Sequence, residues 1–233
     1  MHSKQLKHIR LLLIAVITLV GFTITAITAH VTTDATFHFF DIGQGDASLI
    51  SLPGDVQILI DGGVDEMIVR KLGENIPFYD RTIEFMILTH GHKDHAGGLQ
   101  EVAERYKVTN FIYNGVDEDI DILLNTLTKQ ESNIIIADSE KELIVSDMTS
   151  IKLLFPDRVM SPIELEDPND GSVIALINFG ESKALFTGDA PQEAERYVLT
   201  NNNYLEADLL QVGHHGSKSS SDEEFIAKIE PQY

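Results

Sequence analysis

The chain has 233 residues, 43% of them hydrophobic, enough for one large or two small packed domains and too many for a disordered chain. It has no cysteine, which excludes disulfides, thiolate metal sites and a cysteine nucleophile. Seventeen basic against 37 acidic residues give a net charge of −20, and every acid lies after His30. So acidic a body binds phosphate backbones and anionic lipid poorly, so work on a phosphate needs a local positive charge, most simply a metal ion.

In chain order, Lys4, Lys7 and Arg10 precede an uncharged run over residues 11–29. At about 1.5 Å per residue this run spans roughly 28 Å, close to a bilayer core, and its basic flank should stay cytoplasmic. Residues 1–30 are therefore expected to be an uncleaved signal-anchor. The alternative is a cleaved signal peptide, for which Ile27-Thr28-Ala29 is a fair site. The body is then extracytoplasmic, held at the cell membrane by a single-pass helix in the first case and secreted in the second. Nothing in the sequence points to a protein partner.

From Thr36 short β-like runs alternate with turn formers. Strands are expected over 36–42, 47–52 and 56–60, a helix over 64–72, and a strand buried on both faces over 83–89. A helix over 96–106, a strand over 108–113, a helix over 119–130 and strands over 133–137, 143–145 and 151–155 follow. A polar loop over 157–171 leads to a hairpin of 173–179 and 184–187. The chain then runs through a helix over 191–199 with Pro191 in its first turn, a strand over 209–212 and a helix over 222–229 capped by Ser221 or a neighbour. This alternation favours a layered α/β domain.

Five of the nine histidines fall in two clusters, each following an expected strand. His90, His92 and His95 lie in Thr-His-Gly-His-Lys-Asp-His-Ala-Gly-Gly; His214 and His215 lie in Val-Gly-His-His-Gly-Ser. Asp61 and Asp189 also follow strands, so all should emerge on one edge of the sheet. His90 and His92, two apart, point the same way in an extended loop, and Asp94 and His95 can turn toward an adjacent point. Imidazole and carboxylate donors without thiolate suit Zn²⁺, Mn²⁺ or Fe. Four donors in six residues are too many for one open catalytic ion; two ions about 3.5–4 Å apart would use them all, with Asp189 as the natural bridge. Gly43-Gln44-Gly45-Asp46 reads as a tight hairpin, or as a loop facing Gln44 or Asp46 to the metals. Ser217-Lys218-Ser219-Ser220 reads as the start of the last helix, or as a phosphate contact through Ser217 and Lys218.

These motifs resemble the signature of the metallo-β-lactamase superfamily. Phe39-Phe40-Asp41-Ile42-Gly43-Gln44-Gly45-Asp46-Ala47, Leu185-Phe186-Thr187-Gly188-Asp189 and the stretch from Val212 to Ser220 are similar to the metallo-β-lactamase domain of ComEC competence proteins. The resemblance covers 36–233 and implies a four-layer αβ/βα sandwich with a dimetal site at the edge of its central sheets. It implies that His90 and His92 hold one divalent ion, that Asp94 and His95 hold a second with His214 or His215, and that Asp189 bridges. A metal-bound hydroxide would be the nucleophile, with Asp61 orienting imidazoles or nucleophile and Asp94 serving as ligand or base. The mid-chain metal-binding His of many members is absent; Asn169-Asp170-Gly171-Ser172 stands there, so Asn169, Asp170 or water would fill that position, and a labile ion such as Mn²⁺ could be favoured over Zn²⁺. Relatives continue past Tyr233, so the expected domain could be truncated. The implied activity is phosphodiester hydrolysis, with single-stranded DNA among the candidate substrates and Asn169, Ser217 and Lys218 as substrate contacts. Alternatives are a small diesterase, for example on phosphorylcholine of a cell-wall polymer, and a non-catalytic membrane-tethered accessory protein.

Overall fold

The computed structural model describes residues 2–28, 34–116, 119–158, 165–202 and 204–233. Ala29 at the end of the expected anchor and 159–164 of the polar loop lie outside the described residues. The first helix, α1, runs His2–Thr28. Its large apolar side chains from Ile9 to Val20 are exposed around the whole helix. Among the described residues no helix is long and apolar enough to cross a membrane.

The body is built on two sheets. In the first, β1 (Thr36–Phe39), β2 (Ser48–Leu52) and β3 (Val56–Ile60) form an antiparallel meander, and β4 (Thr82–Ile87), β5 (Lys107–Tyr113) and β6 (Asn133–Ile136) continue it in parallel, in the order β1-β2-β3-β4-β5-β6. In the second, β7 (Glu142–Ser146), β8 (Thr149–Phe155), β9 (Ile174–Phe179) and β10 (Ser182–Phe186) are antiparallel, and the two-residue β11 (Leu209–Leu210) joins β10 in parallel.

Alternation of side chains along each strand sorts the apolar residues into three cores. On β3, Leu59 turns outward while Ile58 and Ile60 turn toward the second sheet. The outward face is covered by α2 (Met67–Asn75), α4 (Leu99–Arg105) and α5 (Asp121–Lys129), through Ile68, Leu72, Val102 and Leu127. Between the sheets Ile87, Ile112, Ile151, Ile177 and Phe186 form a middle core. The outer face of the second sheet is covered by α6 (Gln192–Asn201) and α7 (Glu223–Ile229), through Val198, Phe225 and Ile229. The result is the expected four-layer αβ/βα order. The strand β4 is buried on both faces, as its apolar run requires: Ile83 and Met86 enter the first core and Ile87 the middle one.

Several expected elements are corrected. The helix placed over 96–106 is two helices, the one-turn α3 (Lys93–Ala96) and α4, separated by Gly97-Gly98. Both glycines have right-handed helical dihedrals, so their role is not backbone freedom. A Cβ on Gly97 would lie 2.4 Å from the Val64 carbonyl oxygen, and one on Gly98 2.2 Å from that of Gly62. The pair lets the chain after β3 lie directly on the chain after β4. The helix placed over 64–72 starts only at Met67, whose N–H is taken by Asp65 Oδ1. Pro191 precedes α6 instead of entering its first turn, and Asp222 caps α7 by accepting the Phe225 N–H. The last strand stops at Leu210, and Val212 is half exposed.

If the middle core holds the sheets together, Phe186→Ala should cost about 3–5 kcal/mol in denaturant unfolding, because the side chain is fully buried between them. A loss below about 1 kcal/mol would contradict that packing.

Candidate metal centre

The motif residues meet at one edge of the sandwich, but they come from both sheets. Asp61 follows β3 and His90 follows β4; Asp189 follows β10 and the His214-His215 pair follows β11. The expectation of one sheet edge is thus corrected to the shared edge of two sheets facing across the middle core. The sheets touch there at Gly188, whose φ of +51° and whose hypothetical Cβ, 2.6 Å from Thr89 Cβ, both require glycine.

Asp189 lies at the centre, and four imidazole Nε2 atoms surround its carboxylate. His95 is 3.3 Å from Oδ1. His214 and His215 are each 3.7 Å and His90 3.9 Å from Oδ2. Burial raises the Asp189 carboxyl, but the surrounding imidazoles, His95 first, outweigh it and hold it below the usual carboxylate range.

Beneath Asp189 sits Asp61, 1% exposed with φ +58°. It accepts the Thr89 N–H at 2.8 Å, the Thr89 hydroxyl at 2.7 Å and His95 Nδ1–H at 2.8 Å. Because the Thr89 hydroxyl donates to Asp61, it accepts from His90 Nδ1, 3.1 Å away. One carboxylate therefore orients both rings and turns the Nε2 atoms of His90 and His95 into the site. Of the two roles expected for Asp61, its geometry allows the orientation of imidazoles; both oxygens are engaged and the residue is buried.

His90 and His95 are forced apart electrostatically. Burial and the neighbouring His95 push His90 down to about 2, with Asp189 opposing. Burial also pulls His95 down, but Asp61 and Asp189 outweigh it and hold it up at about 11. His92 Nδ1 lies 3.1 Å from His90 Nε2, near the roughly 3.3 Å between two nitrogens on one tetrahedral ion. His92 Nε2 is 3.9 Å from Asp167. Asp94, on α3, stands 3.6 Å from His215 Nε2.

Among the described residues three groups of donors could each hold an ion: His90, His95 and Asp189; Asp94, His95 and His215; and Asp46, Asp189 and His215. The test of fit is local: His95 Nε2 and Asp189 Oδ1 are buried 3.3 Å apart, and beyond this loose mutual contact neither has a hydrogen-bond partner. An unpaired buried donor or acceptor costs roughly 1–3 kcal/mol, and a divalent cation would relieve both. The residues therefore fit a metal.

Of the residues the sequence offered only as alternatives, Asp46 is in the site and Gln44 is exposed. Asp46 Oδ1 lies 3.3 Å from His215 Nδ1, and its Oδ2 accepts from Gln211 Nε2 at 2.7 Å. Burial raises its carboxyl, then Asp61 does, with His215 opposing. Asp170 is not among the donors; its carboxylate accepts the Asp167 N–H in a capping box. Asn169 Oδ1 is buried and unpaired. Ser217 faces Ser219 at 3.0 Å, and the Lys218 side chain is exposed.

Sequence reasoning missed Glu195. This α6 carboxylate is fully buried and accepts the N–H of Ser221 at 2.5 Å and of Asp222 at 3.3 Å; burial pushes it up. Ser221 Oγ in turn accepts the Gly213 N–H at 2.9 Å, just before the histidine pair. No local pattern marks Glu195, because its partners lie 26 and 27 residues downstream.

The family model of the metallo-β-lactamase superfamily matches residues 40–233. The chain belongs to this superfamily. It is 32% identical over 82% of its length to ComE operon protein 3 of Bacillus subtilis, and 28% identical over 82% to recombination protein 2 of Haemophilus influenzae. It spans about a quarter of each, 27% and 22%. Among solved structures, a B3 metallo-β-lactamase with an active-site glutamic acid superposes with a TM-score of 0.53 at 17% identity, covering 83% of both chains. YhfI of Bacillus subtilis, a metallo-β-lactamase fold protein, gives 0.50 at 19% identity over 73% of this chain and 64% of its own. These likenesses establish the superfamily fold for this chain.

Asp61→Asn should destabilise the metal-free protein by about 3–5 kcal/mol near neutral pH, as expected when one partner of a buried charge pair is removed. Because His95 is raised by its partners, its contribution is full below the ordinary imidazole value of 6.5 and is lost as pH rises toward about 11. The stability gap between wild type and variant should therefore narrow over that interval in chemical denaturation. A gap constant with pH would contradict the Asp61–His95 pairing.

Proposed function

We propose that this chain is a metal-dependent phosphodiesterase whose leading substrate class is single-stranded DNA, acting outside the membrane. The observation that carries this reading is the Asp189 carboxylate surrounded by four imidazoles, with Asp94 beside His215. Two divalent ions, Zn²⁺ or Mn²⁺, are the cofactor this donor set suits: His90 and His92 on one side, Asp94, His95 and His215 on the other, Asp189 between them. When bound, such a pair lowers the pKa of a water toward 7 and neutralises phosphoryl oxygens.

The chain's own residues supply orientation and charge placement. Asp61 orients the rings of His90 and His95. Asp94 serves as ligand or as acceptor of the proton of the attacking water. The orphaned Asn169 oxygen, Ser217 and the exposed Lys218 are the substrate contacts of this reading. The net charge of −20 disfavours tight duplex binding and leaves attraction for a phosphate to the centre itself. Likeness to the competence and recombination proteins supports a nucleic-acid substrate. The basic flank before residue 11 and the uncharged run to residue 29 support a membrane-tethered, extracytoplasmic body.

The test is cleavage of single-stranded DNA and of bis-p-nitrophenyl phosphate by purified protein with added Mn²⁺ or Zn²⁺. Asp94→Asn, at matched metal loading, should lower the rate by about 10²–10⁴ while leaving folding nearly unchanged. Cleavage of the small diester alone would replace the nuclease by a small diesterase. No cleavage of either by metal-loaded wild type would favour an accessory protein.

A further inference from the structure

The turn that carries His214 and His215 is bent in a way its own residues do not favour. His214 has φ 49°, ψ 48° and His215 φ 50°, ψ 27°, two consecutive left-handed residues of which neither is glycine. Such conformations persist only where the surroundings enforce them. The rings do not supply the enforcement, since the side chains are 32% and 38% exposed.

The segment that follows the turn is held from outside. Every residue from Lys218 to Asp222 is bonded to residues 190–195, which lead from Asp189 into α6. The Lys218 carbonyl accepts from Gln192 Nε2 at 3.1 Å, and the Ser219 carbonyl accepts the Gln192 N–H at 2.9 Å. Ser220 Oγ donates to the Ala190 carbonyl, and Glu195 accepts the N–H groups of Ser221 and Asp222. Two contacts return from this docked segment to the turn. Ser221 Oγ accepts the Gly213 N–H at 2.9 Å, and Ser219 Oγ lies 3.0 Å from His214 Nδ1. The turn is also tied directly to the strand end before Asp189, by the His214 N–H on the Gly188 carbonyl at 3.0 Å. The start of α6 thus acts as a gauge between Asp189 and the loop behind the two imidazoles.

Glu195 is the member of this set that core packing does not explain. It is fully buried on the helix face it shares with Ala194 and Val198, and burial pushes its carboxyl up. An apolar side chain would be less costly there. What a carboxylate offers instead is two acceptor oxygens for two consecutive N–H groups. Ser221 is itself left-handed, with φ 55°, its N–H on Glu195 and its hydroxyl on the Gly213 N–H.

We propose that Glu195 is a positioning residue of the metal centre: through Ser221 and the Gly213 N–H it holds the histidine turn where both Nε2 atoms stand 3.7 Å from Asp189 Oδ2. This rests on the reading of a metal centre and deepens it. Lys218 lies on the same docked segment, so the clamp also places a contact which that reading gives to the substrate.

The experiment uses the full chain and two readouts besides activity: calorimetric titration with Mn²⁺ and Zn²⁺, and proton–nitrogen NMR correlations of the imidazoles in the metal-free protein. Unfolding curves verify folding. Ser221→Ala removes the hydroxyl that accepts from Gly213 and leaves the Ser221 N–H on Glu195. Glu195→Gln keeps one acceptor oxygen and replaces the other by a donor. Each should weaken cation binding by about 10-fold and move the His214 and His215 resonances more than those of His90 and His95. The double variant should bind no more weakly than the weaker single variant, because both changes cut one relay. Val198→Ala, buried on the same helix but outside the relay, should lower the unfolding midpoint and leave cation affinity and imidazole resonances at their wild-type values. Wild-type affinity and resonances in Ser221→Ala and Glu195→Gln would overturn the proposal and leave Glu195 a structural residue only. So would an equal loss of affinity in Val198→Ala, or additive losses in the double variant. Wild type that binds neither Mn²⁺ nor Zn²⁺ would overturn the metal centre itself, and the resonance shifts would then decide the hold of Glu195 on the turn without it.

Discussion

The edge of the sandwich is organised around a column of two buried carboxylates with one imidazole between them. Asp61 and Asp189 are 1% and 3% exposed, and His95 touches both. Two such charges cannot be buried together without compensating positive charge. In the metal-free chain that charge is a proton on His95, held up to about 11 by its two partners. A divalent ion facing His95 Nε2 and Asp189 Oδ1 would satisfy the same requirement. The column is therefore both a structural element and a reservoir of cation affinity.

The fold supplies what the column needs. The first sheet contributes its lower half, through the turn after β3 and the one-turn helix after β4. The second sheet contributes Asp189 and the histidine pair. The middle core, with Phe186 and Ile87 under the site, fixes the two edges against each other. Close backbone approaches complete the joint. The chain after β3 lies on Gly97-Gly98, and Thr89 lies on Gly188. In each case a side chain would occupy the space another backbone or side chain already fills, so these glycines fix distances between loops.

Positions of the donors are then refined by groups outside the donor set. Asp61 reaches His90 only through the Thr89 hydroxyl, and Glu195 reaches the histidine pair only through Ser221 and the Gly213 N–H. Both are buried carboxylates accepting fixed donors, which makes them rigid. Such relays hold two consecutive residues in left-handed backbone conformations that the chain would not adopt alone. The strongly acidic surface adds a long-range preference for cations and against polyanions, and so concentrates any attraction for phosphate at the centre.

Much of this was legible in the sequence. The His-x-His-x-Asp-His spacing, Asp189 after an apolar strand and the absence of cysteine pointed to a cluster of imidazole and carboxylate donors able to hold a metal, because donor chemistry and local spacing are sequence properties. The superfamily and its four layers were legible for the same reason, together with the period of the apolar runs. Other features were decided only by tertiary structure. That the donors come from two sheets depends on which strands pair, and that depends on packing across the middle core. Helix boundaries at Gly97-Gly98 and Met67 depend on another loop lying against them. Asp46 rather than Gln44 in the site, Asp170 in a capping box rather than among the donors, and Glu195 as a clamp depend on contacts between segments far apart in the chain. The sequence could single out His214 and His215 but not their aim, since both Nε2 atoms reach Asp189 Oδ2 through left-handed dihedrals at two consecutive residues. Donor identity is written in the residues; donor direction is set by the surroundings that fix each ring.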